Sequence, residues 1–124
     1  MKTNIRILIA DDYIDNRTLL KEIIEILGFE YELVENGKDA LNALNRSFFN
    51  IILMDIEMPV MNGIEATKEI RKHADPLKKR TPIIAISAHN PEHFSEKFKQ
   101  VGFNDYISKP YSIEKLIDII NKYG

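Results

Sequence analysis

Three short apolar runs dominated by isoleucine stand out along the chain, at residues 7–10, 51–54 and 83–86. Apolar residues follow one another in these runs instead of alternating with polar ones, a pattern typical of parallel strands buried on both faces. Shorter candidates at 31–34 and 105–107 complete the set of predicted strands.

Between the strands, apolar residues recur at the spacing of amphipathic helices. The predicted helices cover residues 15–27, 38–46, 63–72, 91–101 and 112–122. Residues that favour helix ends accompany them: Gly28 follows the first helix, Pro91 stands near the start of the fourth, and Ser112 is placed as the N-cap of the last. An Asn36-Gly37 turn is expected before the second helix.

Strict alternation of strand and helix predicts an α/β fold, a doubly wound (βα)5 sandwich in which helices cover both faces of a parallel sheet. The chain of 124 residues has the ordinary size of one domain. It shows no linker, repeat or low-complexity segment. A single domain spanning residues 1–124 is therefore expected.

The composition and charge of the chain argue against several classes of protein. The 17 basic and 19 acidic residues leave a net charge of −2, which argues against a dedicated nucleic-acid binder. Cysteine is absent, which excludes disulfide frameworks and thiol catalysis and fits a cytoplasmic protein. No apolar run approaches the roughly 18 residues of a membrane span, so no membrane insertion is expected. The charged stretch 72–81 is interpreted as a solvated loop.

Polar residues stand where the predicted strands end, the edge at which ligands bind in folds of this class. They are Asp11 and Asp12 after the first strand, Asp55 at the end of the third, Ser87 at the end of the fourth, and Lys109 after the fifth. Each has an ordinary interpretation by itself: a turn or helix cap for Asp11-Asp12, a loop residue for Asp55, an exposed side chain for Lys109. Their joint placement at four strand ends favours a functional site.

Charge indicates the chemistry of such a site. Three carboxylates brought together repel one another unless a hard cation lies among them, and Mg²⁺ prefers oxygen ligands. The ammonium of Lys109 adds a second positive charge. A metal, an ammonium and a hydroxyl around one carboxylate suit a nucleophile that accepts a phosphoryl group.

Four stretches together resemble the response regulator receiver domains of two-component signalling. They are 7–12 (ILIADD), 53–63 (LMDIEMPVMNG), 82–88 (PIIAISA) and 102–110 (GFNDYISKP). Their order and spacing are highly specific and span essentially the whole chain. The resemblance implies the flavodoxin-like strand order 2-1-3-4-5.

The resemblance also implies a role for each acidic residue. Asp55 matches the phosphoacceptor, which takes its phosphoryl group from a phosphohistidine on a histidine kinase or a histidine phosphotransfer protein. Asp12 matches a direct Mg²⁺ ligand, and Asp11 the neighbouring acid that supports the metal. The backbone carbonyl of Glu57 matches the main-chain ligand. Glu57 and His89 flank the site where the family varies and are thought to tune the lifetime of the phosphoryl group.

The remaining matches concern the response to phosphorylation. Ser87 and Lys109 match the hydroxyl and ammonium that contact the phosphoryl group, and the bond before Pro110 is expected to be cis. Tyr106 matches an aromatic switch that moves inward as Ser87 approaches the phosphate. The surface formed by residues 91–101, 105–107 and 112–122 would then change shape, as a shift between two states.

Apolar residues outside the predicted core are candidates for partner contacts. Leu19 and Ile26 lie on the first helix, which docks the phosphohistidine partner in this family. Ile119 and Tyr123 lie off the main stripe of the last helix, either as a partner patch or, slightly favoured, as incidental exposed surface.

The resemblance also allows a phosphorylation-dependent dimer. The motifs look most like receivers of hybrid histidine kinases, and the chain fits either a stand-alone receiver or one domain of a larger protein.

Three alternatives belong to other functional classes. A pseudo-receiver would keep the fold as an interaction module without phosphorylation. A flavin or nucleotide binder on the same fold would need a glycine-rich loop where Asp11-Asp12-Tyr13 stands. A metal-dependent phosphatase with Asp55 as nucleophile would need a domain to cap its substrate. The receiver itself is not expected to be an enzyme beyond removing its own phosphoryl group.

Overall fold

The structure is a computed structural model that describes residues 4–88, 96–109 and 112–124, without the side chain of Lys97. Three expectations lie outside these residues: the helix start at Pro91, the flanking side chain of His89 and the cis bond before Pro110.

Strands and helices alternate as the sequence predicts, with one short helix added. The strands are β1 (Arg6–Ala10), β2 (Glu30–Val34), β3 (Ile51–Asp55), β4 (Ile83–Ser87) and β5 (Asp105–Ser108). The helices are α1 (Ile14–Leu27), α2 (Gly37–Arg46), α3 (Gly63–Ile70), α4 (Pro76–Lys79), α5 (Glu96–Val101) and α6 (Ile113–Tyr123).

All five strands pair in parallel, in the order β2-β1-β3-β4-β5. This confirms the doubly wound fold and the strand order implied by the family resemblance. Parallel pairing brings the carboxyl ends of the strands to one edge of the sheet. Residues that follow those ends therefore share one side of the molecule.

Burial on both faces of the sheet explains the continuous apolar runs. Leu8, Ile52 and Met54 face a cluster that includes residues of α2 and α3. Their neighbours along the strands face a second cluster with α1 and α6, which contribute fully buried residues such as Leu20 and Leu116. Each strand is thus apolar at successive positions because helices cover both of its faces.

Helix ends follow the sequence signals, with one difference. Gly28 ends α1 in the left-handed conformation at φ 80°, and the side chain of Ser112 accepts a hydrogen bond from the backbone N–H of Lys115. The expected Asn36-Gly37 turn is instead the start of α2. Asn36 is its N-cap and accepts from the backbone N–H of Asp39.

The stretch 72–81 is not simply a loop. It contains α4, which begins at Pro76 after the side chain of Asp75 caps it by accepting from the backbone N–H of Leu77. Proline suits the first position of a helix because that position needs no N–H donor. With only 4 residues, α4 is too short to show the repeat of apolar residues by which longer helices are predicted.

Both interpretations were wrong for Ile119, whereas Tyr123 is half-buried and stays a candidate for a partner contact. Ile119 is 7% exposed and packs in the cluster beneath α6. The hydroxyl of Tyr123 donates to the carbonyl of Asn104 and contacts the carboxylate of Asp105. Leu19 and Ile26 are exposed, as the docking hypothesis requires. Within the described residues, no helix has the length and apolar character needed to cross a membrane.

Candidate functional site

The carboxyl edge of the sheet holds an open cleft of about 800 Å³. Asp12, Asp55, Ser87 and Lys109 line it, and Asp11 lies buried beside it in ion-pair contact with Lys109. These side chains come from the ends of β1, β3, β4 and β5. The structure thus brings together the five residues that the sequence placed at one edge.

Asp11 is fixed by the loop that follows β1. Its Oδ1 accepts a hydrogen bond from the backbone N–H of Tyr13 at 2.9 Å, so it makes the expected turn contact. It does not cap α1, whose N-cap is Tyr13 without a side-chain cap bond. The other oxygen, Oδ2, is buried, has no hydrogen-bond partner and lies 3.5 Å from the Nζ of Lys109. Buried polar atoms are normally hydrogen-bonded, so a structural role of Asp11 in the turn does not account for this oxygen.

Asp55 is the most perturbed carboxyl group of the cleft. It is 5% exposed; its Oδ1 accepts from the backbone N–H of Glu57 at 3.2 Å, and its Oδ2 lies 3.2 Å from the Nζ of Lys109. Burial, and then repulsion from the Asp11 carboxylate, raise the pKa of Asp55 to about 6. The ammonium of Lys109 and the N–H of Glu57 oppose this rise.

The three carboxylates meet the geometric requirement of a metal site. Oxygen atoms of Asp11, Asp12 and Asp55 lie within 4.8 Å of one another. The Oδ2 of Asp11 accepts no hydrogen bond from the described residues and has only the ion pair with Lys109 among them, and a single ammonium does not balance three acids. A hard divalent cation with oxygen ligands fits this donor set.

Two glycines, Gly37 and Gly63, allow the loop between β3 and α3 to close. A Cβ on Gly63 would lie 2.2 Å from the backbone oxygen of Asp55, and one on Gly37 would lie 2.6 Å from the carbonyl oxygen of Met61. A capping box between Asn62 and Glu65 then starts α3. The Asn-Gly pair with glutamate three residues after Asn62 was the available sequence signal.

Arg17 is a neighbour of the site that sequence reasoning missed. Its Nη1 donates to the backbone carbonyl of Asp11 at 2.7 Å, and its Nη2 lies 3.4 Å from the carboxylate of Glu35. The guanidinium therefore ties the loop after β1 to the end of β2. Nothing in local periodicity distinguishes Arg17 from an exposed arginine on a helix.

Ser87, which lines the cleft, and Tyr106 lie on adjacent strands. The backbone N–H of Lys109 donates to the carbonyl of Ser87 at 2.7 Å, which holds the end of β4 against the segment after β5. Tyr106 pairs with Ala85 and is half-buried against the apolar cluster. The Nζ of Lys115 lies 5.7 Å from the centroid of its ring. The role of Tyr106 as a switch stays a prediction.

Comparison with known proteins agrees with this geometry. The family model of the response regulator receiver domain matches residues 7–121. Hybrid signal transduction histidine kinase I of Dictyostelium discoideum is 36% identical over 94% of the chain, which spans only 7% of that kinase.

Two solved structures are similar along almost the whole chain. The receiver domain of sensor histidine kinase PA1611 from Pseudomonas aeruginosa, with a magnesium ion in its active-site cleft, is 34% identical with a TM-score of 0.86, covering 97% of each chain. The receiver domain of Saccharomyces cerevisiae Ssk1, in complex with the histidine phosphotransfer protein Ypd1, is 28% identical with a TM-score of 0.89, covering 100% of this chain and 91% of that one. The chain therefore belongs to the response regulator receiver domain family, the receiver modules of two-component phosphorelays.

Proposed function

We propose that Asp55 accepts a phosphoryl group from a phosphohistidine of a partner protein in a Mg²⁺-dependent reaction. The observation that carries the proposal is the environment of Asp55. This buried carboxylate has an ammonium at 3.2 Å on one oxygen and two further acids within 4.8 Å, and it opens onto a cleft. A nucleophile, a counter-charge and a set of metal ligands are thereby combined around one atom.

Asp11, Asp12, Asp55 and the backbone carbonyl of Glu57 are the residues that would hold Mg²⁺. The ion would offset the charge of the three acids and of the phosphoryl oxygens during transfer. The magnesium ion of the PA1611 receiver and the unpartnered oxygen of Asp11 support this assignment.

In the transfer, an oxygen of Asp55 attacks phosphorus while the bond from phosphorus to the imidazole nitrogen breaks. The electron pair of that bond stays on the ring, whose other nitrogen carries a proton, so the leaving group is neutral imidazole and no acid is required on the Asp55 side. Asp55 must be ionised to attack, and with a pKa of about 6 most molecules carry the carboxylate at pH 7. Lys109 and Ser87 both line the cleft, and their ammonium and hydroxyl would contact the phosphoryl oxygens.

The partner is a histidine kinase or a histidine phosphotransfer protein, and the Ypd1 complex of the Ssk1 receiver supports this class. Exposed Leu19 and Ile26 make α1 a suitable docking surface.

On phosphorylation, Ser87 would move toward the phosphate and Tyr106 inward, changing the surface near α5, β5 and α6. The whole of residues 1–124 acts as one receiver, which hydrolyses its own phosphoryl group and could dimerise when phosphorylated.

The alternatives have less support. A pseudo-receiver has no need for a buried nucleophile with its counter-charge and metal ligands intact, and nothing in the comparisons favours it. A flavin or nucleotide phosphate would meet the acids Asp11 and Asp12 in place of backbone N–H donors. Nothing in the described residues forms a cap over the cleft, as a phosphatase would need.

The test is the intact mass of the chain after incubation with Mg²⁺ and acetyl phosphate. We expect a gain of one phosphoryl group that EDTA prevents and that the Asp55→Asn variant lacks. The exposed Asp118→Asn variant is the matched control and should gain the group as the native chain does. Phosphorylation of the Asp55→Asn variant to the same extent would show that another residue is the acceptor. If the native chain neither gains mass nor binds Mg²⁺, the pseudo-receiver becomes the better description.

A further inference from the structure

The peptide group between Asp11 and Asp12 joins two of the acids proposed as metal ligands. Asp11 is fully buried, whereas Asp12 is exposed and lines the cleft. The backbone N–H of Asp11 donates to the carbonyl of Val34 at 3.1 Å, and this bond extends the pairing of β1 with β2 by one residue. The chain therefore enters this peptide group from a fixed strand.

The carbonyl of Asp11 is held by Arg17. The Nη1 of Arg17 donates to this oxygen at 2.7 Å, a short, charge-assisted hydrogen bond. The backbone N–H of Arg17 donates to the carbonyl of Tyr13 at 3.1 Å, so the arginine belongs to the first turn of α1. Its side chain is only 13% exposed, although arginine is mostly an exposed residue. Both backbone polar groups of Asp11 are thus fixed.

The ion pair between Arg17 and Glu35 is the weaker contact of this guanidinium. The Nη2 lies 3.4 Å from the carboxylate, and the Glu35 side chain is 70% exposed. Ion pairs in contact with water contribute little to stability, because solvent and salt screen them. The bond to the Asp11 carbonyl is therefore the contact through which Arg17 acts on the site.

Asp12 is the least restrained of the three carboxylates. Those of Asp11 and Asp55 each accept a backbone N–H and lie next to Lys109. No hydrogen bond or ion pair with a described residue fixes the Asp12 carboxylate, so its position depends on the backbone that carries it. A trans peptide group is planar, and the carbonyl of Asp11 and the N–H of Asp12 point in opposite directions. By holding that carbonyl, Arg17 fixes the plane from which the Asp12 side chain starts.

We propose that Arg17 is a positioning residue of the metal site, which holds the Asp12 carboxylate within reach of an ion shared with Asp11 and Asp55. The inference rests on the proposed function, because it gives Arg17 a role toward the proposed Mg²⁺ site without contact with the ion. Groups that orient the ligands of a metal commonly change its affinity by about 10- to 100-fold.

The charge of Arg17 acts on metal binding in the opposite direction. A guanidinium next to three acids repels a divalent cation, so its removal would by itself strengthen Mg²⁺ binding. Loss of the hydrogen bond to Asp11 would instead weaken binding, because Asp12 then has to be ordered when the ion binds. The direction of the change in affinity therefore separates positioning from charge.

Three variants at this contact and one control test the inference. Arg17→Met removes the donors and the charge but keeps a long apolar side chain. Arg17→Lys keeps the charge, but its strongly hydrated ammonium has no planar fork and is drawn to the exposed carboxylate of Glu35. Glu35→Gln keeps the bond to the Asp11 carbonyl. The matched control is Arg46→Met, because Arg46 pairs at 2.7 Å with Glu32 of β2 and is not among the residues that line the cleft.

Two measurements on the full chain are compared. They are the Kd for Mg²⁺ from an NMR titration of the backbone amides, and the rate of phosphorylation by acetyl phosphate as a function of Mg²⁺ concentration. We expect Kd to rise about tenfold in Arg17→Met and about three- to tenfold in Arg17→Lys. Glu35→Gln and Arg46→Met should stay within about twofold of the native Kd. At saturating Mg²⁺ the rates should approach that of the native chain, because Asp55 and Lys109 are unchanged.

Tighter Mg²⁺ binding by Arg17→Met would show that charge dominates and would overturn the inference. An unchanged Kd in both Arg17 variants, an equal rise in Arg46→Met, or a lower maximal rate without a change in Kd would overturn it as well. Urea unfolding in EDTA shows whether Arg17→Met folds; if it does not, Arg17→Lys decides. A native chain that binds no Mg²⁺ would contradict the proposed function and this inference with it, whereas native binding with unaffected Arg17 variants would contradict this inference alone.

Discussion

Asp55 and Asp11 form a buried pair of carboxylates with one ammonium, that of Lys109, between them. The Nζ of Lys109 lies 3.2 Å from Asp55 and 3.5 Å from Asp11. One ammonium does not fully offset two buried carboxylates, so without a metal their negative charge is unfavourable. The raised pKa of Asp55 reflects this repulsion. Repulsion of this kind is typical of sites that serve binding or chemistry at the expense of stability.

The raised pKa of Asp55 predicts a specific dependence of stability on pH. In the folded chain the group holds its proton to about pH 6, whereas the ordinary carboxyl pKa is 3.8, so without metal the native state loses stability as pH rises from about 4 to 6. The Asp55→Asn variant never carries this charge. In EDTA it should be more stable than the native chain by about 2–3 kcal/mol at pH 7, and no more stable below about pH 4.

Urea unfolding across that pH range measures the difference. The Asp118→Asn variant removes an exposed carboxylate on α6 but keeps Asp55, so its stability should follow that of the native chain across the pH range. Mg²⁺ should narrow the gap at pH 7 because it stabilises the native chain more than the variant. An Asp55→Asn variant that is less stable than the native chain at pH 7 in EDTA would contradict the electrostatic account.

At the scale of elements, the joint between β3 and α3 positions the nucleophile. Gly63 begins α3, and its backbone N–H donates to the carbonyl of Ile56. The helix starts so close to the strand end that no side chain fits at this position. The same connection contains Val60, the only described residue other than glycine with positive φ, at 67°.

Two glycine substitutions should therefore differ sharply. Gly63→Ala places a Cβ 2.2 Å from the backbone oxygen of Asp55 and should destabilise the chain by more than about 3 kcal/mol, with weaker Mg²⁺ binding. Gly28→Ala meets no atom within 4 Å but keeps φ 80°, and should lower the free energy of unfolding by only about 1 kcal/mol. Chemical denaturation and Mg²⁺ titration provide the measurements. Similar losses in the two variants would argue against the tight joint.

At the scale of the molecule, Arg71 ties together three segments at the edge of the sheet opposite the cleft. Its guanidinium makes hydrogen bonds of 2.6 to 2.9 Å with the carbonyls of Gly102, Lys79 and Thr81 and the side chain of Asn104. No carboxylate pairs with it among the described residues, and burial lowers its pKa. Its charge is offset by carbonyl oxygens near the ends of α4 and α5.

Replacement of Arg71 should reduce the stability of the chain even when the positive charge is kept. Arg71→Ala leaves several partly buried carbonyl oxygens without a donor and should reduce the free energy of unfolding by about 3 kcal/mol. Arg71→Lys should recover less than half of this, because one ammonium does not reach the acceptors on both of the other segments, 79–81 and 102–104. Arg80→Ala is the control. Arg80 is exposed, its Nε donates to the carbonyl of Pro76, and less than about 1 kcal/mol should be lost. Equal stability of the Arg71→Lys variant and the native chain would show that charge alone matters.

The sequence by itself determined the fold and the composition of the site. Isoleucine runs without alternation encode burial on both faces, and the helical stripes between them encode the layers that cover the sheet. Parallel strands then bring their carboxyl ends together, so Asp11, Asp12, Asp55, Ser87 and Lys109 could be placed at one edge before any distance was known. The family motifs added the strand order and the expected roles.

The tertiary structure alone decided what depends on contacts between distant segments. Arg71 and Gly102 are 31 positions apart, and the burial of Ile119 depends on how α6 packs on the sheet. The unpartnered oxygen of Asp11 and the φ of Val60 are likewise set by neighbours that local periodicity does not encode. Periodicity records which face of an element is buried; it does not record which atom a polar side chain meets, because that contact forms only when separate elements pack together.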